Sequence, residues 1–404
     1  MSVDVIAARV AAREHEIVAF RRRLHANPEL SGCEEETTAE IVERLRVAGL
    51  QPHVLRRGTG VVCDVPLGGE GPTVALRADI DALGMVDETT SGYASKNPGI
   101  AHACGHDVHT AVVLGSALTL RGLAHEEPGR WKGTVRVFFE PAEETMPGGA
   151  LDIIEEGWLE GVQAVFGLHC DPKIDVGSIG LRSGPLTSAS DLVEIELNGP
   201  GGHTARPHLT VDIVRALGEV STRVPDLYLE KLAASGQSVL VFGAVHAGDA
   251  ANVIPARGML RGSARTIDTD AWERSEEVLR SVLAEVLEDS GAHWNLRYRR
   301  GVPPVVNDPW AIATMVAAGK ETVGEDHLVD TPQSMGADSF AWLGQKVPAA
   351  YARLGTHRPG EPFLDLHAST FDVDEAAIGI GMRFLTATAL EALEGLMDTD
   401  PSTA

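Results

Sequence analysis

Six segments between residues 187 and 300 follow an order that few folds accommodate. A strand (190–198) is followed by a helix (209–224), two strands (238–246 and 256–265), a helix (270–290) and a strand (293–300). That is βαββαβ, the ferredoxin-like order. A glycine-rich word, "NGPGGH", interrupts after the first strand. The segment reads as a second, α+β domain inserted into the chain.

On either side the pattern alternates differently. Residues 4–23 form an amphipathic helical pattern. "SGCEEETTAEIVERLRVAGL" reads as another helix, with Ser31 and Glu34 suited to a capping box and Gly49 to the stop. Short apolar strands follow at "TVALRAD" and "GTVRVFFEPAEE", with a helix from about 109 to 123 between them, and then a buried strand, "AVFGLHC". After the insertion, "DPWAIATMVAAGKETVG" returns to the same pattern, and a long helix spans 373–395. Strands alternating with helices give an α/β class, here a mixed central sheet flanked by helices. The expected domains are 1–186 with 301–404, interrupted by 187–300. With 404 residues the chain is too long for one ordinary core, which agrees.

Charge limits the partners. A formal net charge of −24 argues against a protein that grips a nucleic-acid backbone and against an anionic membrane surface. No run approaches the ~18 apolar residues of a membrane span. The N-terminal segment mixes acids and bases and lacks the apolar stretch of a secretory signal. The four cysteines, Cys33, Cys63, Cys104 and Cys170, form no disulfide framework, so a cytoplasmic location is expected. Cys33, Cys63 and Cys170 are expected to be inert packing residues.

The chemistry concentrates in short words. "AHACGHDVHTA", residues 101–111, holds His102, Cys104, His106, Asp107 and His109; "EPAEE" lies at 140–144, "GLHC" at 167–170 and "LDLHAS" at 364–369. Thiolate, imidazole and carboxylate are the groups that hold transition metals. Asp79, Glu143 and His169 fall just beyond predicted strands, where open α/β sheets place their sites. One or two ligands from each word give Cys104, His106, Glu144, His169 and His367. Five donors exceed one tetrahedral ion and suit two ions about 3.5–4 Å apart sharing a bridge. In the tandem Glu143–Glu144, one carboxylate can bind metal while its neighbour stays free as a general base. Each word alone has a plainer reading. His169 could be a core histidine, the glutamates a solvated helix start, and Cys104 a small buried hydrophobe. Their joint occurrence at strand mouths is the stronger signal.

The words "RRRLHANPELSGCEEETT", "ALRADIDALGMVDET", "YASKNPGIAHACGHDVHTA", "EPAEETMPGGA", "GGHTARPH", "ANVIPARGMLRGSART" and "LDLHAS" together resemble the M20 metallopeptidase superfamily. The likeness is to its amidohydrolase branch of aminoacylase, hippurate hydrolase and auxin-conjugate hydrolase relatives. The resemblance runs in order from about residue 15 to 390. It implies a catalytic domain split by a lid domain and hydrolysis of an N-acyl amide, commonly an N-acyl amino acid. It also implies two divalent ions, zinc or manganese, with cobalt or nickel also possible. Carried over by position, the ligands fall on Cys104, His106, Glu144, His169 and His367, and the general base on Glu143.

Arg77 stands where the wider superfamily has a metal-binding histidine, and a guanidinium cannot replace it. His106 then supplies that imidazole, and Asp79 orients ligands. In the lid, His203, Asn252 and Arg265 are the implied substrate-binding residues, with His203 also catalytic and facing the site of a partner subunit in a homodimer. Asp338 departs from the family's usual words, which leaves its role open. An inactive relative that binds acyl amino acids, a structural metal protein, and a dipeptidase or deacetylase of a biosynthetic intermediate are the alternatives.

Overall fold

The computed structural model describes residues 3–398. The chain divides into two compact units: Met1–Gly184 with Val306–Pro332 and Ser339–Ala404, and Pro185–Val305 with Gln333–Asp338.

The first unit opens with helices α1 (Val3–Ala26) and α2 (Glu35–Val47) and strands β1 (His53–Val54), β2 (Val61–Gly68) and β3 (Thr73–Asp79). Helix α3 (His106–Glu126), strand β4 (Gly133–Glu140), helix α4 (Ala150–Glu155) and strands β5 (Val162–Asp175) and β6 (Ile179–Leu181) follow. The second unit carries β7 (Ser190–Asn198), α5 (Ile213–Leu232), β8 (Ser238–Ala247), β9 (Arg257–Thr266), α6 (Thr269–Leu287) and β10 (His293–Val302). The chain returns with α7 (Pro309–Thr322), β11 (Leu328–Asp330), α8 (Phe340–Gly344), β12 (Ala349–His357) and α9 (Ala376–Asp398).

In the first unit the sheet order is β1-β2-β4-β3-β5-β12-β6-β11. β3 runs parallel to β4 and β5, and β12 parallel to β5, whereas β2 is antiparallel to β4 and β6 to β12. The sheet is therefore mixed. Its central strands are apolar almost without interruption because helices cover both faces. β3 is buried at every residue but the first, and β12 at every residue but the last. The outer strand β2 alternates instead, with Asp64 and Pro66 turned outward.

Helix α9 is long and apolar enough to cross a membrane by length and composition alone, although Arg383 and Glu391 interrupt its apolar run. Its apolar window is 83% buried inside the unit. A helix enclosed by its neighbours is apolar all round for that reason alone. Gly381 lets it approach α3, since a methyl group there would meet Val112 at 2.9 Å.

In the second unit the order is β8-β9-β7-β10, every pair antiparallel. Val193, Ile195 and Leu197 of β7 pack with Val220 and Val224 of α5 and Leu279 and Leu283 of α6. Aspartates cap both helices: Asp212 accepts from the Arg215 amide and Asp268 from the Ala271 amide. Helix α5 starts later than its expected span, because residues 207–209 form a 3₁₀ turn, and it runs on through Pro225.

Three further expectations need correction. Ser31 and Glu34 do not form a capping box. Helix α2 begins at Glu35 without a side-chain cap; Ser31 Oγ donates to Asp81 at 2.6 Å, and Glu34 accepts from the amides of Gly32 and Ala142. His169 lies inside β5 rather than beyond its end, because that strand continues to Asp175. Cys33 is exposed rather than buried in packing.

Candidate metal centre

Strands β3 and β4 run side by side and end together, with Asp79 paired to Glu140. Several candidate residues follow directly from that edge in sequence, as the strand geometry of an α/β sheet favours. After β3 comes Asp81, and after β4 the turn Pro141–Ala142 followed by Glu143 and Glu144. Cys104 and Gly105 lead into α3, whose first residue is His106. Gly105 is required there. Its φ is +88°, and a side chain would meet Cys170 Sγ at 2.8 Å.

Among the described residues, four overlapping groups of metal-donor side chains result, each with its atoms within 4.8 Å of one another. They are Cys104–His106–His169, Cys104–Glu144–His367, His106–Glu143–Glu144 and Asp79–His106–His109. The first three bring together all five expected ligands and Glu143. The hydrogen bonds show why the fourth group differs. His109 Nε2 accepts from the Cys170 amide at 2.8 Å, and its Nδ1–H donates to Asp79 at 2.6 Å. Both ring nitrogens are in use, so His109 holds Asp79 rather than a metal.

His106 and His169 are arranged differently. His106 Nδ1–H faces the Asp81 carbonyl at 2.9 Å and its carboxylate at 3.1 Å. His169 Nδ1–H donates to the Cys170 carbonyl at 2.7 Å. A carbonyl or carboxylate can only accept, so each Nδ1 carries a proton and each Nε2 is the nitrogen turned toward the other donors. His169 Nε2 lies 3.5 Å from Cys104 Sγ. His106 Nε2 lies 3.8 Å, and His367 Nε2 3.3 Å, from Glu144 Oε1. His106 Nε2 and Glu144 Oε1 are buried without a hydrogen-bond partner. Buried polar atoms almost always have partners, and a ring nitrogen and a carboxylate oxygen that face each other at 3.8 Å without a direct hydrogen bond fit a cation between them. Burial pushes the Cys104 thiol upward, so it ionises at neutral pH only with a cation beside it.

The backbone is strained where ligands enter. Ala142, one residue before Glu143, has φ +56°, and His367 has φ +60°. Such conformations cost about 1–3 kcal/mol each and need support from their surroundings. Glu34 supplies it at Ala142 through the amide, and the Ala103 carbonyl accepts from the His367 amide at 2.7 Å.

Further residues surround the ligands that the sequence reading did not single out. Asp81 binds the His106 ring with one oxygen, and the Glu144 amide (3.0 Å) and Ser31 with the other. Arg21, fully buried on α1, donates to Asp107 at 2.6 Å and to Asp372 at 3.1 Å, and so ties the segment after His106 to the segment after His367. His25 shares Asp107 at 2.8 Å. The repeated aspartates of "RADID" were the available signal for Asp81; nothing local to α1 pointed to Arg21. His102 is buried with neither ring nitrogen bonded, and burial pushes it down to about 4. It belongs to none of the donor groups.

The remaining candidates lie in the second unit. His203 is exposed in a short ribbon, Gly202–His203 against Val253–Ile254, and its Nδ1 accepts from the Ala205 amide at 3.0 Å. Asn252 is exposed beside it, its carbonyl accepting from the Thr204 amide. Arg265 is half-buried and donates to the Met335 carbonyl at 2.8 Å.

Residues 75–391 match the family model for peptidase family M20/M25/M40. N-acetyl-L-cysteine deacetylase of Bacillus subtilis is 36% identical over 383 residues, covering 94% of this chain and 89% of its own. N-acyl-L-amino acid amidohydrolase of Geobacillus stearothermophilus is 37% identical over 298 residues, covering 72% and 78%. A longer relative from Rhodococcus jostii is 42% identical over 384 residues, and the chain spans 47% of that protein's length. Among solved structures, the YXEP protein of Bacillus subtilis, described as a dinuclear metal-binding peptidase, superposes with a TM-score of 0.82 at 32% identity, covering 95% and 99% of the two chains. Fold and site thus define a metal-binding hydrolase of amide bonds. The chain belongs to peptidase family M20/M25/M40.

Proposed function

We propose that this protein hydrolyses the amide bond of N-acyl amino acids, with two divalent ions held by Cys104, His106, Glu144, His169 and His367. The observation that carries the reading is the convergence of five donors from four segments, with His106 Nε2 and Glu144 Oε1 buried in it without a hydrogen bond. When bound, such ions supply Lewis acidity toward a carbonyl and acidify a water at neutral pH. Thiolate and imidazole suit zinc, while the carboxylates also suit manganese; cobalt and nickel are further candidates.

The chain's own residues then divide the work. Glu143 takes the proton of the attacking water and returns it to the departing amine. Asp79 receives Arg77 and His109 and holds a negative charge 3.8 Å from His106 Nε2. His203, Asn252 and Arg265 bind the substrate carboxylate or the developing oxyanion, with the second unit acting as a lid in a cytoplasmic homodimer. The names of the relatives support acetyl and other acyl amino acids, N-acetylcysteine among them. A dipeptide substrate is the second reading, supported by the peptidase description of YXEP.

The test is hydrolysis of a panel by protein reconstituted separately with Zn²⁺, Mn²⁺, Co²⁺ and Ni²⁺. N-acetylcysteine, N-acetylmethionine, N-benzoylglycine and unblocked dipeptides form the panel. Cleavage of the acyl amino acids is expected. Turnover of the dipeptides alone would move the assignment to a peptidase, and no turnover with any metal would leave an acyl-amino-acid binder.

A further inference from the structure

We infer that Ser339 is the positioning residue for Glu143, and that Arg77 and Glu140 hold Ser339 in place for that task. The inference rests on the proposal that Glu143 is the general base. The Ser339 amide donates to Glu143 Oε1 at 3.1 Å. A neutral backbone donor fixes that carboxylate oxygen without adding a charge beside it.

Ser339 is itself anchored on every side. It is fully buried at the entrance to helix α8. Its Oγ accepts from Arg77 Nη2 at 3.0 Å and donates to Glu140 Oε1. Arg77 spends the rest of its fork on Glu140 (2.7 Å), Asp79 (2.7 Å) and the Tyr351 hydroxyl (3.1 Å). Glu140 in turn accepts from the Ala150 amide at 2.6 Å. Phe340, the next residue, stacks on Tyr351 with ring centroids 4.5 Å apart. Gly148 closes the remaining side: a methyl group there would lie 2.4 Å from Ser339 Cβ. One guanidinium thus reaches Asp79, which braces the metal-binding side, and Ser339, which braces the base. A planar fork with five donors can satisfy both at once, whereas a lysine ammonium cannot.

The experiment is a double-mutant cycle on the metal-reconstituted enzyme. Ser339→Ala keeps the amide but cuts it loose from Arg77 and Glu140. It should retain the full metal complement and an unchanged KM, while kcat falls roughly 10- to 100-fold, the range a misplacement of about 1 Å can produce. In a Glu143→Ala background the same change should leave the residual rate unaltered, because there is no base left to misplace. Arg77→Lys should lower kcat in the same way and also weaken metal retention, because Asp79 loses its partner as well. A normal kcat for Ser339→Ala overturns the inference, as does a further loss in the Glu143→Ala background, which a general structural lesion would produce. If Glu143→Ala itself keeps near-normal kcat, the base assignment fails and takes this inference with it. A collapsed Glu143→Ala beside an unaffected Ser339→Ala overturns the positioning role alone.

Discussion

Asp81 shows how much of a metal site lies outside its ligands. One carboxylate sets the tautomer of His106 and holds the Glu144 amide. Groups that orient ligands in this way typically contribute 10- to 100-fold to metal affinity. Asp81→Ala should therefore weaken metal retention on the order of 10- to 100-fold, measured by competition with a chromophoric chelator; unchanged affinity would mean that the ring is held some other way. Glu143→Gln should do the opposite: ions kept, kcat lowered ~10²–10⁴-fold. An ion count below that of the parent would mark Glu143 as a ligand. The ligand words were legible because each is a local cluster of rare residues. The roles of Asp81 and Arg77 were not, because their bonds reach 25 and 63 residues along the chain; locally there was only the repeated aspartate of "RADID" and an arginine in a ligand's place. His109 was visible but ambiguous until its second nitrogen was seen to accept from Cys170.

At the scale of elements, periodicity carried most of the reading. The strands of the second unit begin and end within a few residues of their expected bounds. The errors fell at ends, where tertiary bonds decide: Ser31 prefers Asp81 to the start of α2, and β5 continues past His169. Helix α1 has a duty its amphipathic pattern did not reveal, since Arg21 joins two ligand-bearing segments. Arg21→Met should cost roughly 3–5 kcal/mol, the usual penalty for stranding a buried charge, and should loosen the metal as well. A loss of stability with metal affinity intact would confine Arg21 to folding.

In the second unit, Asp191 gives a prediction about pH. Burial raises its carboxyl above the ordinary range, although Tyr298, Trp272 and the Gly301 amide all donate to it and oppose the shift. A raised native pKa contributes stability below the unfolded value, near 3.9, and loses it as pH rises through the native one. Asp191→Asn should thus lose less stability than the parent as pH climbs from about 4. Urea midpoints taken across that range would show it; parallel pH profiles would rule it out.

At the scale of the whole molecule, every donor group among the described residues lies in the first unit. A ligand that binds only the folded form stabilises it by about 2.7 kcal/mol at a hundredfold excess over its Kd. Chelation should therefore lower the unfolding temperature of the first unit and leave that of the second in place, giving a calorimetric trace that separates into two transitions. A shift of the second unit's transition on chelation would contradict this assignment. Cys104 should become alkylated only after chelation, whereas exposed Cys33 should label throughout. Resistance of Cys104 in the metal-free protein would speak against ligation.

The chain passes into the second unit twice, the second time for Gln333–Asp338 alone. Those six residues are knitted in. The Ser334 amide donates to the Leu186 carbonyl, the Ser188 amide to the Gly336 carbonyl, and Arg265 to Met335. The insertion is therefore not a detachable cassette. Deleting 185–305 would leave a six-residue strap with nothing to hold, its last peptide bond leading directly into Ser339. A minimal first unit needs two linkers in place of two segments, and grafting the second unit onto another host means transplanting two pieces of sequence that no single crossover can carry.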